Sequence, residues 1–267
     1  MRILFLGDVV GSSGCAKLTK DLPSQKKLRN IDFVIVNGEN ADESGVGLTK
    51  KICEKFFSSG VDVITTGNHV WDQKEIMNFI ENEKRLLRPK NFFEPSLGRG
   101  FEIFTTSNNS KIGVLNLMGN VFMKKSNDVF ETANKFINKF KLKEDFDFLV
   151  VDFHGEITSE KNAIGHYFDG KASLVVGTHT HIPTNDARIL QNGTAYQTDA
   201  GMCGDYDSVI GMNKNNSLNR FMKKDSIKHF PANGDSTLCG VIVECNIETG
   251  LASKVESYIF GEQLKNS

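Results

Sequence analysis

The sequence predicts a layered α/β fold, and three observations carry that expectation. Short apolar runs of strand length recur through the first two thirds of the chain. Between the early runs, apolar residues fall three and four apart, the spacing of a helix with one buried face. After about residue 186 the texture becomes β-rich.

In chain order the strand candidates are Ile3 to Leu6, Phe33 to Val36, Val61 to Thr65, Ile112 to Leu117, Phe148 to Phe153 and Ser173 to Val176. Helical spacing marks Thr49 to Ser59 and Asp72 to Asn82. The later strands are read at Gly193 to Asp199, Thr237 to Asn246 and Ser253 to Phe260. No Pro/Gly/Ser linker, repeat or low-complexity block interrupts the pattern, so residues 1–267 are read as one domain.

With 267 residues the chain is long enough to bury a full core. Its 32 Lys+Arg against 33 Asp+Glu leave a formal net charge of −1, which excludes a broad basic surface for nucleic acid. No apolar run approaches the roughly 20 residues of a membrane span. The opening MRILFLGDVVG has an apolar stretch of about six residues and no small-residue cleavage site, so it reads better as a first strand than as a signal peptide. Five cysteines, an odd number with no CxxC pair, argue against a disulfide framework or a structural zinc site and favour a reducing, cytoplasmic setting.

The apolar runs end in residues suited to metal ligation. Asp8 follows RILFLG, Glu39 and Asn40 follow FVIVNG, Asn68 and His69 follow VDVITTG, His154 follows FLVVDF, and His179 and His181 follow SLVVGT. Ligands of open α/β sheets bind beyond the carboxyl ends of the strands, so these residues are expected to converge on one site. An isolated His-x-His pair is more often two loop histidines than a ligand pair, and Asp8, Asn40 and Asn68 taken singly read as turn or cap residues. Company reverses that reading, because four of the six histidines fall at these strand ends. His166 and His229 have no such setting and are read as structural or exposed. The donor set mixes hard oxygen with imidazole nitrogen and has no thiolate, which suits Mn, Fe or Zn. A carboxylate such as Glu39 can bridge two ions.

The ordered runs GDVVG (7–11), NGEN (37–40), GNHVWD (67–72), DFHGE (152–156) and GTHTH (177–181) resemble the calcineurin-like metallophosphoesterases. Within them, the chain is most similar to the YmdB-type cyclic-nucleotide phosphodiesterases, through RPKNF (88–92), TSEK (158–161) and GMCGDYDSVIGM (201–212) as well. The resemblance implies a four-layered αββα sandwich around two divalent or mixed-valence transition-metal ions, Fe or Mn ahead of Zn. It assigns Asp8, Glu39, Asn40 and His181 to one ion, and the bridging Glu39 with Asn68, His154 and His179 to the other. His69 is implied as the proton donor. Val10 stands where the wider superfamily has a histidine, and NGEN where GDxxD is common; both departures belong to the YmdB-type branch. Gly155, Asp205 and Ser208 look like local changes at the rim of the site.

The implied reaction is in-line attack of a hydroxide held between the two metals on the phosphorus of a small cyclic nucleotide, 2′,3′ or 3′,5′. A homo-oligomer is compatible with this reading; a membrane partner is not expected. The competing class is a regulatory or RNA-associated binding protein on the same fold with incidental turnover. Gly7, Gly11 and Gly14 match a dinucleotide-binding loop poorly, and no P-loop or GxSxG elbow is present.

Overall fold

The computed structural model describes residues 1–224 and 228–264. In chain order the strands are β1 (Arg2–Leu6), β2 (Asp8–Val9), β3 (Phe33–Asn37), β4 (Val63–Thr65), β5 (Phe101–Thr105), β6 (Lys111–Met118), β7 (Phe148–His154), β8 (Leu174–Thr178), β9 (Arg188–Ile189), β10 (Ala195–Gln197), β11 (Met202–Asp205), β12 (Ser236–Cys245) and β13 (Ala252–Phe260). The helices are α1 (Gly11–Leu28), α2 (Lys50–Ser58), α3 (Val129–Lys139), α4 (Thr158–Tyr167) and α5 (Lys214–Phe221).

The strands form two sheets. One has seven strands in the order β2-β11-β12-β1-β3-β4, with β13 also paired to β12; the other has six, in the order β5-β6-β7-β8-β10-β9. Alternation along each strand divides its side chains between two cores. In β1, Ile3 and Phe5 enter a core between the sheets, while Leu4 and Leu6 join Leu18, Leu22 and Phe56 of the first two helices. In β7, Phe148 and Val150 face the same central core, while Leu149, Val151 and Phe153 pack with Ala133, Phe136 and Ile164 of α3 and α4. Three cores separate four layers, which is the αββα sandwich expected from the sequence.

Toward the carboxyl ends of the strands the inward-facing residues turn polar. Asn37, Thr65, Asn116, Asp152, His154 and Thr178 are all fully buried. Asn37 and Thr65 of the first sheet hydrogen-bond Asp152 of the second, so the polar end of the central layer ties the two sheets together.

The expected elements are present with shifted ends. The strand read at Val61 to Thr65 begins at Val63, and the segment Asp72 to Asn82 contains a 3₁₀ turn, Lys74–Asn78, in place of a full helix. The longest helix, α1, has a weak sequence signal because two glycines and Pro23 lie within it. Gly14 is there for clearance, since a Cβ would come 2.2 Å from the Cys203 carbonyl oxygen of β11. All five cysteines are free. Among the described residues no helix is long and apolar enough to cross a membrane.

Candidate metal centre

Every residue singled out at a strand end lies at one edge of the sandwich. Asp8 opens β2, Glu39 and Asn40 follow β3, Asn68 and His69 follow β4, His154 closes β7, and His179 and His181 follow β8. The hub is His154, whose Nε2 is 2.9 Å from Glu39 Oε1, 3.1 Å from Asn68 Oδ1 and 3.0 Å from His179 Nδ1. Glu39, His154 and His179 offer ligand atoms within 4.8 Å of one another. Beside this group, Asp8 Oδ1 lies 4.0 Å from His181 Nε2. Asn40 is fixed near Asp8 by a backbone bridge to Val10, and its Nδ2 donates to the Gly45 carbonyl at 2.9 Å. The Gly67 position has no room for a side chain, because a Cβ would sit 2.4 Å from both His154 Nε2 and Glu39 Oε2.

Two buried acceptors test whether these residues fit a cation. Asp8 Oδ1 and Asn40 Oδ1 are both buried without a hydrogen-bond donor. A buried polar atom left so is costly, and far more so when it is charged. Both belong to the donor set expected for one ion. The residues therefore fit cation binding at this edge, with candidate subsites at the unpartnered Asp8 and Asn40 oxygens and at the Glu39, His154 and His179 group.

The hydrogen bonds around the three histidines fix which nitrogen faces the subsites. His181 Nδ1 donates to the Ile210 carbonyl at 2.8 Å, leaving Nε2 toward Asp8. His179 Nε2 lies 3.0 Å from the Glu156 carboxylate, leaving Nδ1 toward His154 and Glu39. For His154 the tautomer is set by Thr178. The Thr178 hydroxyl has one proton and gives it to Asp152 Oδ1 at 2.7 Å, so toward His154 Nδ1, 2.9 Å away, it can only accept. Nδ1 carries the proton and Nε2 faces the subsite. Partners of this kind hold a metal-ligating imidazole in its tautomer and orientation.

Charge in the site follows from burial and from these contacts. Burial pushes the Asp8 carboxyl up from its ordinary value. It also pushes Asp152 up to about 7, against the pull of His154 and the hydroxyls of Thr65 and Thr178. Burial would raise Glu39 too, but the His154 imidazole and the His69 amide outweigh it and hold Glu39 down at about 2. Conversely, burial would lower His154, yet Glu39 followed by Asp8 pushes it up to about 9. His179 is driven down to about 3 by burial and by the neighbouring His154. Glu39, 2.9 Å from His154 Nε2, thus favours the protonated form of this imidazole.

The turn carrying the last two histidines is strained. His179 has φ 96° and His181 φ 66°, in the left-handed region that non-glycine residues seldom occupy. Between them, Thr180 is held from behind by Asp199, which accepts from its amide at 3.2 Å and its hydroxyl at 2.6 Å. Asp199 in turn pairs with Lys161 at 2.6 Å, and both side chains are buried. Thus the lysine of TSEK secures the GTHTH turn. The DYDS run has a similar role: Ser208 accepts from the Gly211 amide and donates to the Asp205 carbonyl, shaping the turn that presents the Ile210 carbonyl to His181. Asp205 and Ser208, read from the sequence as rim positions, act on this turn. His166 lies exposed on α4, and His229 bonds Ser217, so neither joins the site.

His69 stands beside the donor set. Its amide donates to Glu39 Oε2 at 3.0 Å and its Nδ1 lies 2.7 Å from Asp72 Oδ2. Asp72 also lies 3.6 Å from the Lys124 ammonium, which donates to the Asn68 carbonyl at 2.6 Å. Sequence reasoning did not single out Asp152, Glu156, Lys161 or Asp199. For Asp152 a signal was available: it stands two residues before His154 in a strand and so shares its face.

A family model described as YmdB-like protein matches residues 4–258. The 2′,3′-cyclic-nucleotide 2′-phosphodiesterase of Bacillus subtilis is 43% identical over 262 residues, covering 98% of this chain and 98% of the relative. Among solved structures, a novel phosphatase from Mycoplasma pneumoniae superposes with a TM-score of 0.90 at 37% identity, covering 98% of this chain and 93% of that one. A hypothetical protein from Thermus thermophilus gives the same TM-score, 0.90, at 36% identity, covering 98% of this chain and all of that one.

The hydroxyl link to His154 makes a direct prediction. Thr178→Val keeps the shape of the side chain but removes the group that receives the Nδ1 proton, so metal affinity should fall by about 10- to 100-fold. Thr178→Ser should bind as the wild type does. Competition with a chelator checks both, and wild-type affinity in Thr178→Val would show that the link does not position His154.

Proposed function

From the premise that the chain belongs to the YmdB-like family, we propose that it is a metal-dependent phosphodiesterase that hydrolyses 2′,3′-cyclic nucleotides to 3′-nucleotides. The observation supporting this reading is the cluster of Glu39, His154 and His179 beside Asp8 at the strand ends of the two sheets, in a chain 43% identical over nearly its whole length to a phosphodiesterase of that description. Asp8, Glu39, Asn40 and His181 are proposed to hold one ion, and Glu39, Asn68, His154 and His179 the other. The oxygen-rich, thiolate-free set favours Fe or Mn, with Zn as an acceptable substitute. Two such ions, when bound, generate the nucleophile from water and neutralise charge on the phosphoryl oxygens. A cytoplasmic setting completes the reading, in keeping with five free cysteines.

The chain's own residues have separate tasks. Glu39 supplies negative charge between the subsites, and its position is fixed through the His69 amide. Asp72 engages Nδ1 of His69 and leaves Nε2 free to exchange a proton. In hydrolysis water adds to phosphorus, the bond from phosphorus to O2′ breaks, and the departing O2′ takes a proton. His69 is the group proposed to give it.

Two measurements test this assignment. Chelator-treated protein should be inactive, and after reconstitution with Mn or Fe it should cleave 2′,3′-cyclic AMP in preference to 3′-AMP. Faster release of phosphate from 3′-AMP would make it a phosphatase, and binding of the cyclic nucleotide without turnover would favour a binding role. For His69, general-acid help is worth about 100- to 10,000-fold when the leaving oxygen is a poor one. His69→Ala should lose activity in that range on 2′,3′-cyclic AMP and much less on bis(p-nitrophenyl) phosphate, with metal content unchanged. Equal losses on both substrates would remove His69 from the proton transfer.

A further inference from the structure

The segment that follows β6 is fastened from several sides. The Gly119 amide donates to the His154 carbonyl at 2.9 Å. The amides of Asn120 and Val121 donate to the buried carboxylate of Glu160 at 2.9 and 3.4 Å. Four residues on, the Lys124 ammonium reaches the Asn68 carbonyl at 2.6 Å and lies 3.6 Å from Asp72. All this restraint surrounds one unusual residue. Phe122 has φ 60°, a left-handed conformation that is an outlier for a bulky side chain. Its ring is not stabilised by burial, because Phe122 is 85% exposed.

Backbone strain persists only where surrounding contacts over-determine it, and such residues cluster at ligand clamps. Here strain and restraint together hold an unpacked aromatic ring in water. Its location is bounded by covalent geometry: with about 3.8 Å between successive Cα atoms, the Cα of Phe122 lies within about 11 Å of that of Gly119 and about 8 Å of that of Lys124. Gly119 and Lys124 hydrogen-bond the His154 and Asn68 carbonyls, so the segment that carries Phe122 borders the candidate centre on both sides of the ring.

We propose that Phe122 is the stacking platform for the nucleobase of the substrate, forming a subsite beside the phosphate-binding centre. This rests on the cyclic-nucleotide reading and deepens it. An aromatic face stacks any base, because every base offers a π-face. Lys124, the nearest cation on the segment, is already engaged by Asp72 and the Asn68 carbonyl. The subsite should therefore tolerate adenine, guanine, cytosine and uracil, with purines ahead of pyrimidines through larger overlap.

The test compares 2′,3′-cyclic AMP with ribose 2′,3′-cyclic phosphate, which has no base, on the metal-reconstituted protein. Phe122→Ala should raise KM for 2′,3′-cyclic AMP by about 5- to 100-fold, the range expected when one base-aromatic stack is lost. KM for the base-free substrate, metal content and Tm should stay as in the wild type. Phe122→Trp should retain or improve the wild-type KM. Unchanged KM for 2′,3′-cyclic AMP in Phe122→Ala would overturn the platform, and equal losses on both substrates would show that the residue only shapes the segment. A change of oligomeric state by light scattering with unchanged KM would reassign the ring to contact with another copy of the chain. Wild-type protein inactive on both substrates would defeat the cyclic-nucleotide reading and the platform with it; wild-type activity with an indifferent Phe122→Ala would defeat the platform alone.

Discussion

Buried negative charge needs a partner, and the edge where the two sheets meet supplies too few. Asp8, Glu39 and Asp152 are buried together, and among the described residues the ion-pair partners of Asp8 and Glu39 are histidines. Asp8 Oδ1 and Asn40 Oδ1 have no donor at all. Inside a protein such atoms are tolerated when a cation or a strong donor reaches them. The proposed pair of ions would satisfy this constraint. It also gives a reason for arrangements that are otherwise wasteful, such as the strained His179 and His181 turn and the buried Lys161 and Asp199 pair behind it.

Asp152 shows how the fold and the site share one network. Its carboxylate receives Asn37 and Thr65 from the first sheet and Thr178 from the second. The same hydroxyl that joins it from the second sheet receives the proton of His154 Nδ1. Contacts that hold the sheets together at this edge therefore also orient an imidazole toward the candidate centre. In such a network a small error in sheet packing becomes an error in the direction of a lone pair, which is why rigid strand ends suit a site of this kind better than loops do.

Much of this was legible in the sequence because strand periodicity and strand-end chemistry reinforce each other. The apolar runs before Asp8, Glu39, Asn68, His154 and His179 locate the strands, and the polar residue after each run locates the edge. What the sequence could not display was support through space. Lys161 lies 38 residues from Asp199, and Glu160 reaches back 40 residues to Asn120; neither spacing has a periodic signature. Helix α1 was hidden for a different reason, since Gly14 sits where close packing against β11 outweighs helix propensity. The exposure of Phe122 was likewise invisible, because an apolar residue in a sequence reads as core until its surroundings are known.

Whether the donors at this edge hold two ions decides the rest. Metal analysis of purified, reconstituted protein measures that directly, with activity on 2′,3′-cyclic AMP followed in the same samples. Close to two transition-metal ions per chain at full activity is the expected result, because the donor set exceeds what a single four-coordinate ion can use. Full activity at one ion per chain or fewer would contradict the dinuclear centre.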